Sequence, residues 1–156
     1  MKPKAGRLAL RRTDRDDPAF KTLVEALDKD LWKRYPDTQA SYVAGNRIAA
    51  GASAVVAEDG DRPIGCGCFR GLGGGAVELK RMFVREEYRG TGAAAALLGE
   101  LEAWARETGA RAMRLETGLR QPEALRFYEK RGYARIPNYG EYAGNPESVC
   151  MEKALD

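Results

Sequence analysis

Histidine is missing from all 156 residues of this chain, and its absence removes a large share of enzyme chemistry at once. Ser-His-Asp and Cys-His relays and most catalytic zinc sites need an imidazole. Any acid or base here must therefore be Glu, Asp, Tyr, Cys, Lys or a chain terminus. Cysteine is scarce as well: three residues, an odd number, in a chain that opens without an export signal, predict reduced thiols rather than a disulfide framework. Cys66 and Cys68, two apart in a strand-like run, share one face but lack the second ligand pair of a zinc site; a packing role is expected and no metal is predicted. Long apolar runs are also lacking. No stretch approaches the roughly 18 apolar residues of a membrane span, and Met1 to Arg7 lead into no signal-peptide core. The expectation is a cytoplasmic protein without a membrane partner. The net charge is only +3, with Arg and Lys interleaved among Asp and Glu, which argues against nucleic acid as a partner.

What is present suits one folded domain spanning residues 1–156. Hydrophobic residues at 44% and charged residues at 31% are too apolar for disorder and sufficient to bury a core without a disulfide or metal. Asp16-Asp17-Pro18 reads as a capped helix start, and Phe20, Leu23, Val24, Leu27 and Leu31 continue at helical spacing toward Tyr35-Pro36. Residues 37–51 fit either a short helix or an ordered loop. Ala54 to Ala57 reads as a strand, Glu58-Asp59-Gly60-Asp61 as a hairpin turn and Arg62 to Arg70 as its partner, with Gly71 to Gly75 as a flexible connection. A strand over 76–84 follows, then a helix over about 92–108 with a stripe of Ala94, Leu97, Leu98, Leu101, Trp104 and Ala105. Next come a strand over 110–117 and a helix over 121–131, which has Pro122 in its first turn and Gly132 at its end. Tyr133 to Ile136, a turn-rich stretch over 137–146 and a last strand through Val149, Cys150 and Met151 close the chain. The order predicts an α/β (α+β-like) architecture: a mixed central sheet with antiparallel N-terminal strands and flanking helices.

The strand over 76–84 carries Glu78, Lys80 and Arg81 in an otherwise apolar run. Central strands rarely hold three charges for packing alone; an edge strand with one wet face is the structural alternative. Beyond it, Arg89-Gly90-Thr91-Gly92-Ala93-Ala94 joins a strand to an amphipathic helix as a phosphate cradle does. Small residues admit a phosphate to the backbone, the helix N-terminus offers free N–H groups and roughly half a positive charge, and Arg89 adds a full one. Neither the Rossmann spacing nor the G-K-[ST] ending of a P-loop is present.

The run 89–94 fits the [Arg/Gln]-x-x-Gly-x-[Gly/Ala] pattern of the GNAT superfamily of acetyl-CoA-dependent N-acetyltransferases, which this chain resembles. A second likeness lies downstream. Gln121-Pro122-Glu123-Ala124 and Phe127-Tyr128-Glu129-Lys130-Arg131-Gly132-Tyr133 are similar to the family's Asn-x-x-Ala and Tyr-Glu-Lys-x-Gly-Phe, with Gln for Asn and Tyr for Phe. Together the two motifs cover about residues 76–136. The resemblance implies the GNAT fold, acetyl-CoA as co-substrate, main-chain contacts from Met82, Phe83 and Val84 to the pantetheine arm, and a pyrophosphate site at Arg89, Gly90, Thr91, Gly92, Ala93 and Ala94. Gln121 joins the cofactor-binding set through its place in the second motif. It also requires the 76–84 strand to part from its neighbour, leaving backbone polar groups for the ligand.

Two catalytic roles follow. Tyr128 stands where many family members place the acid for the departing thiolate, although a phenol near 10 gives its proton to a thiolate near 8.5 only uphill by about 2 kcal/mol. Glu78 is the candidate base, with a structural ion pair as the equal alternative: it precedes Arg89 by eleven residues, as in several family members. An amine near 10.4 is protonated roughly a thousand to one at neutral pH and must lose a proton. Met82 lies about 13 Å farther along the strand at ~3.3 Å per residue, so a water relay fits better than direct contact. Lys80 and Arg81 point to opposite faces if the strand is regular. Tyr139, Glu141 and Tyr142 fall in the late loop that lines the acceptor side in similar folds. The expected activity is direct acetyl transfer to a primary amine of a small molecule or peptide. The alternative is a non-catalytic acyl-CoA-binding module, and exposed sheet edges admit a homodimer.

Overall fold

The structure, a computed structural model, describes residues 8–36, 48 and 50–156. Most of the 37–51 segment, with Tyr42 and Val43, lies outside the described residues. Seven strands form one sheet: β1 (Leu8–Asp14), β2 (Ser53–Asp59), β3 (Arg62–Gly73), β4 (Ala76–Val84), β5 (Ala112–Gly118), β6 (Ala134–Ile136) and β7 (Ser148–Ala154), in the order β1-β2-β3-β4-β5-β7-β6. Neighbours are antiparallel except β4 and β5, which run parallel. Among the described residues three helices flank the sheet: α1 (Pro18–Arg34), α2 (Ala93–Glu107) and α3 (Pro122–Lys130).

β2 shows why helices cover both faces. Val55 and Ala57 join one buried cluster with Leu97, Leu98 and Leu101 of α2 and Leu125 and Tyr128 of α3. The intervening Ala54 and Val56 join another with Phe20 and Leu23 of α1. A strand buried on both sides has no polar alternation to display, which matches its short continuous apolar run. α1 starts where Pro18 and the Asp17 cap place it, the Asp17 carboxylate accepting from Ala19 N at 2.9 Å and Phe20 N at 3.1 Å.

β1 is absent from the sequence reading. Only Leu8 and Leu10 alternate before Arg11, Arg12 and Thr13, too little pattern to signal a strand; pairing with β2 along its whole length, from Leu8↔Asp59 to Asp14↔Ser53, fixes it. The glycine run over 71–75 is not a flexible connection either. β3 continues to Gly73, and a tight turn at Gly74-Gly75, both at positive φ, leads into β4.

Two irregularities open the site. On β4, Phe83 pairs with Cys66 and Lys80 with Cys68, so Arg81 and Met82 together oppose Gly67. This bulge holds Arg81 at φ 59, the one non-glycine residue with positive φ among those described. A Cβ at Gly67 would sit 2.5 Å from Met82 Sδ and 2.8 Å from Leu101 Cδ1, so glycine lets both side chains pack against the bulge without shifting. The second irregularity is that β4 and β5 pair only from Ala76↔Ala112 to Glu78↔Arg114, after which they part.

Candidate active site

The parting of β4 and β5 makes a wedge through the sheet, and two cavities meet in it. The larger, about 470 Å³, lies against Met82, Phe83 and Val84 of β4, the Arg89-Gly90 turn, Gly92, Ala94 and Ala95 at the start of α2, and Phe127, Tyr128 and Arg131. The smaller, about 130 Å³, lies between Lys80, Arg81 and Met82 of β4, Leu115 to Gly118 of β5, and Leu27, Leu31 and Tyr35 of α1 and its end. Leu27, Met82, Gln121, Ala124 and Tyr128 border both.

The residues predicted for the cofactor gather on the larger cavity. Gly90 and Gly92 stand at φ 78 and 93, conformations that glycine adopts without strain. Gly92 is the N-cap of α2 and supplies no side-chain cap, so the first-turn amides keep their capacity for an anion. Thr91 Oγ turns back to the Tyr88 carbonyl and tightens the loop, and Arg89 Nε donates to the Val84 carbonyl at 2.9 Å, its guanidinium over the Phe83 ring. Ala93 is buried beneath the turn rather than on the cavity wall. The cradle of small residues and an uncapped helix end fits a pyrophosphate, and the unpaired edge of β4 beyond Glu78 fits an extended amide-bearing arm.

Tyr128 is buried with its ring edge-on to Phe127 and Tyr133. Its hydroxyl has no protein hydrogen-bond partner among the described residues, and burial alone pushes the phenol up. It borders both cavities.

Glu78 is placed otherwise. It is 1% exposed, lies on the wall of neither of these cavities, and its oxygens are engaged by Arg70 Nε at 2.8 Å and the Tyr139 hydroxyl at 2.6 Å, with Lys80 Nζ at 3.6 Å. Tyr139 is pushed up by burial and by that bond, so its phenol stays a donor. The Glu78 carboxylate thus holds the cationic ends of Arg70 and Lys80 beside the Tyr139 hydroxyl. β4 is the fourth of seven strands, so the edge-strand account of its charges fails; Glu78, Lys80 and Arg81 are all buried. Nor do Lys80 and Arg81 face apart: the bulge brings both to the smaller cavity, where Arg81 pairs with Asp28 of α1 and Lys80 donates to the Tyr142 hydroxyl at 3.1 Å. The late loop is tied to β4 through Tyr139 and Tyr142 and is no plain surface loop.

Cys66 and Cys68 are buried, their thiols directed to the Arg81 and Lys80 carbonyls, and burial pushes Cys68 up to about 12 and Cys66 upward likewise. Such thiols pack and do not attack.

One acidic residue on the smaller cavity escaped sequence reasoning. Glu116 of β5 is partly buried and accepts a hydrogen bond from Ser148 Oγ of β7 at 2.6 Å. Desolvation, the largest cause, pushes its carboxyl up to about 7. The available signal was the alternation of β5, in which Met113 and Leu115 face the α2–α3 core while Arg114 and Glu116 take the other side.

Two parallel central strands that part over a glycine turn and an uncapped helix make a site shaped for an extended, phosphate-bearing ligand. The acetyltransferase (GNAT) family model matches residues 18–133, and the chain belongs to that family and is an acetyltransferase. It is 35% identical over 136 residues to an IAA acetyltransferase of Azospirillum brasilense, covering 85% of this chain and 88% of the relative. Among solved structures it is similar to one from Klebsiella pneumoniae assigned to the acyl-CoA N-acyltransferases, with TM-score 0.80, 29% identity and coverage of 96% and 98%. The paia N-acetyltransferase of Thermoplasma acidophilum, solved in complex with coenzyme A, shares the fold at TM-score 0.70 and 18% identity, with coverage of 94% and 98%. No helix among the described residues is long and apolar enough to cross a membrane.

Proposed function

We propose that the chain transfers the acetyl group of acetyl-CoA directly to a primary amine of a small molecule or peptide. The observation that carries this reading is the meeting of a donor-sized and an acceptor-sized cavity at Met82, Gln121, Ala124 and Tyr128, where the two central strands part. Acetyl-CoA supplies a thioester carbonyl and a thiolate leaving group. Arg89, Gly90, Thr91, Gly92, Ala93 and Ala94 form the turn that would bind its pyrophosphate, while the backbone of Met82, Phe83 and Val84 would pair with the pantetheine arm. The Tyr128 hydroxyl, unengaged by any of the described residues, would donate a hydrogen bond to the departing sulfur. Glu78 would fix Arg70, Lys80 and the late loop around the acceptor. Buried, deactivated thiols give no covalent relay, which supports transfer within a ternary complex.

The test is release of free thiol from acetyl-CoA across a panel of primary amines. The three cysteines are buried, so liberated CoA is read against a low background. Amine-dependent release above the hydrolysis blank is expected. Acetyl-CoA bound in calorimetry but never discharged to any amine would overturn the assignment in favour of a binding module.

A further inference from the structure

We propose that Glu116, not Glu78, is the group that binds the acceptor's ammonium and takes its proton, so that the smaller cavity selects a cationic primary amine with an apolar body. This rests on the amine-transfer reading above.

Four observations lead here. Glu116 and Tyr128 border the same cavity, Tyr128 at its junction with the larger one. Glu116 has one protein hydrogen bond, from Ser148, and no cation within ion-pairing distance among the described residues. Buried carboxylates are ordinarily paired, and this one keeps acceptor capacity directed at a space of about 130 Å³. The nearby cations are already committed: Lys80 and Arg70 to Glu78, and Arg81 to Asp28. Leu27, Leu31 and Tyr35 line the same cavity and suit a hydrocarbon body, while its two cations, Lys80 and Arg81, are held by Glu78 and Asp28.

The step balances without another reagent. An ammonium acceptor gives one proton to the Glu116 carboxylate; its freed lone pair forms the C–N bond as the thioester C–S bond breaks with its electrons on sulfur. The Tyr128 hydroxyl hydrogen-bonds the departing thiolate, which takes its proton from water; the second nitrogen proton leaves to water, and Glu116 returns its proton to water as well. A base shifted toward neutrality by burial suits this exchange better than an ordinary carboxylate. The groups facing Glu116 are Lys80, which lowers it, Glu78 and Glu141, which raise it, and the neutral Tyr35, Tyr142 and Cys150.

The test uses protein carrying carboxyl-¹³C glutamate, saturated with CoA and titrated with and without phenethylamine. One resonance, lost in Glu116→Gln, should titrate at about 7 and move to lower pH when the amine binds. In thiol release, the rate with phenethylamine should rise with pH through that midpoint. Glu116→Gln should lose the inflection and about 100- to 10,000-fold in kcat/KM. Glu78→Gln should keep the inflection, displaced downward because a neighbouring negative charge is gone. A Glu116 resonance unmoved by the amine, or an inflection surviving in Glu116→Gln and lost in Glu78→Gln, would overturn the proposal. If Glu116→Gln fails to fold, Glu116→Asp assigns the resonance by its loss from the glutamate spectrum. Absence of thiol release from every amine while Glu116 responds to phenethylamine would instead sink the transfer reading.

Discussion

Replacing Tyr128 by Phe removes one oxygen from the junction of the two cavities and leaves the ring contacts with Phe127 and Tyr133 in place. No protein group among the described residues hydrogen-bonds that oxygen, so nothing buried is orphaned. The stability change should stay within about 0.5 kcal/mol, or about 1–2 °C in Tm for a chain of this length. The chemical cost is larger. Burial pushes the phenol up, which makes complete proton transfer to sulfur more uphill than for a solvated tyrosine; the hydroxyl must then act chiefly as a hydrogen-bond donor to developing negative charge. Such an interaction is worth a ten- to thousandfold rate effect, about 1.4–4 kcal/mol. Single-turnover thiol release, with binding of acetyl-CoA measured separately by calorimetry, isolates the step. Expected are an unchanged melt, an acetyl-CoA Kd within about threefold and a depressed single-turnover rate, since roughly threefold is less than one weak hydrogen bond. An unaltered rate would return Tyr128 to packing, and a collapsed melt would show that the hydroxyl has a structural partner.

Gly92→Glu places bulk and negative charge in the proposed pyrophosphate turn at φ 93; calorimetry should show CoA affinity down by at least about tenfold, an electrostatic and steric cost above ~1.4 kcal/mol, and undiminished affinity in a folded variant would refute the cradle. Gly67→Ala drives a methyl into Met82 and Leu101, so a loss of about 1–3 kcal/mol is expected, together with weaker CoA binding because Met82 borders both cavities; an unchanged melt would mean the bulge relaxes freely. Asp17→Asn keeps a capping side chain but loses the carboxylate that Arg11 holds down to about 2. Because the folded value is depressed, the wild-type advantage in Tm should be full above about 4, the ordinary aspartate value, and fade as pH falls toward about 2. A difference independent of pH would remove the Arg11–Asp17 pair from the stability of α1.

Elements whose signals are local could be read from the order of residues alone. Asp17-Pro18 starts α1, Gln121-Pro122 starts α3, and Gly90-Thr91-Gly92 forms the turn before α2; in each case a few adjacent residues set φ, ψ and the free N–H groups. The tie of 89–94 to Tyr128 was legible only through the family resemblance of the two motifs, and the fold sets both on the larger cavity. The rest depends on residues far apart in the chain and emerges only when they are packed together. β1 exists through its pairing with β2, not through its own pattern. Glu78 gave a sequence signal of catalysis, yet Arg70 of β3 and Tyr139 of the late loop, brought together by packing, occupy its oxygens. Lys80 and Arg81 share one side because a bulge opposite Gly67 breaks the alternation that strand spacing implies. Glu116 shows no motif of its own. Its place comes from the point where β4 and β5 stop pairing, and its acidity from burial, quantities defined by neighbours in space.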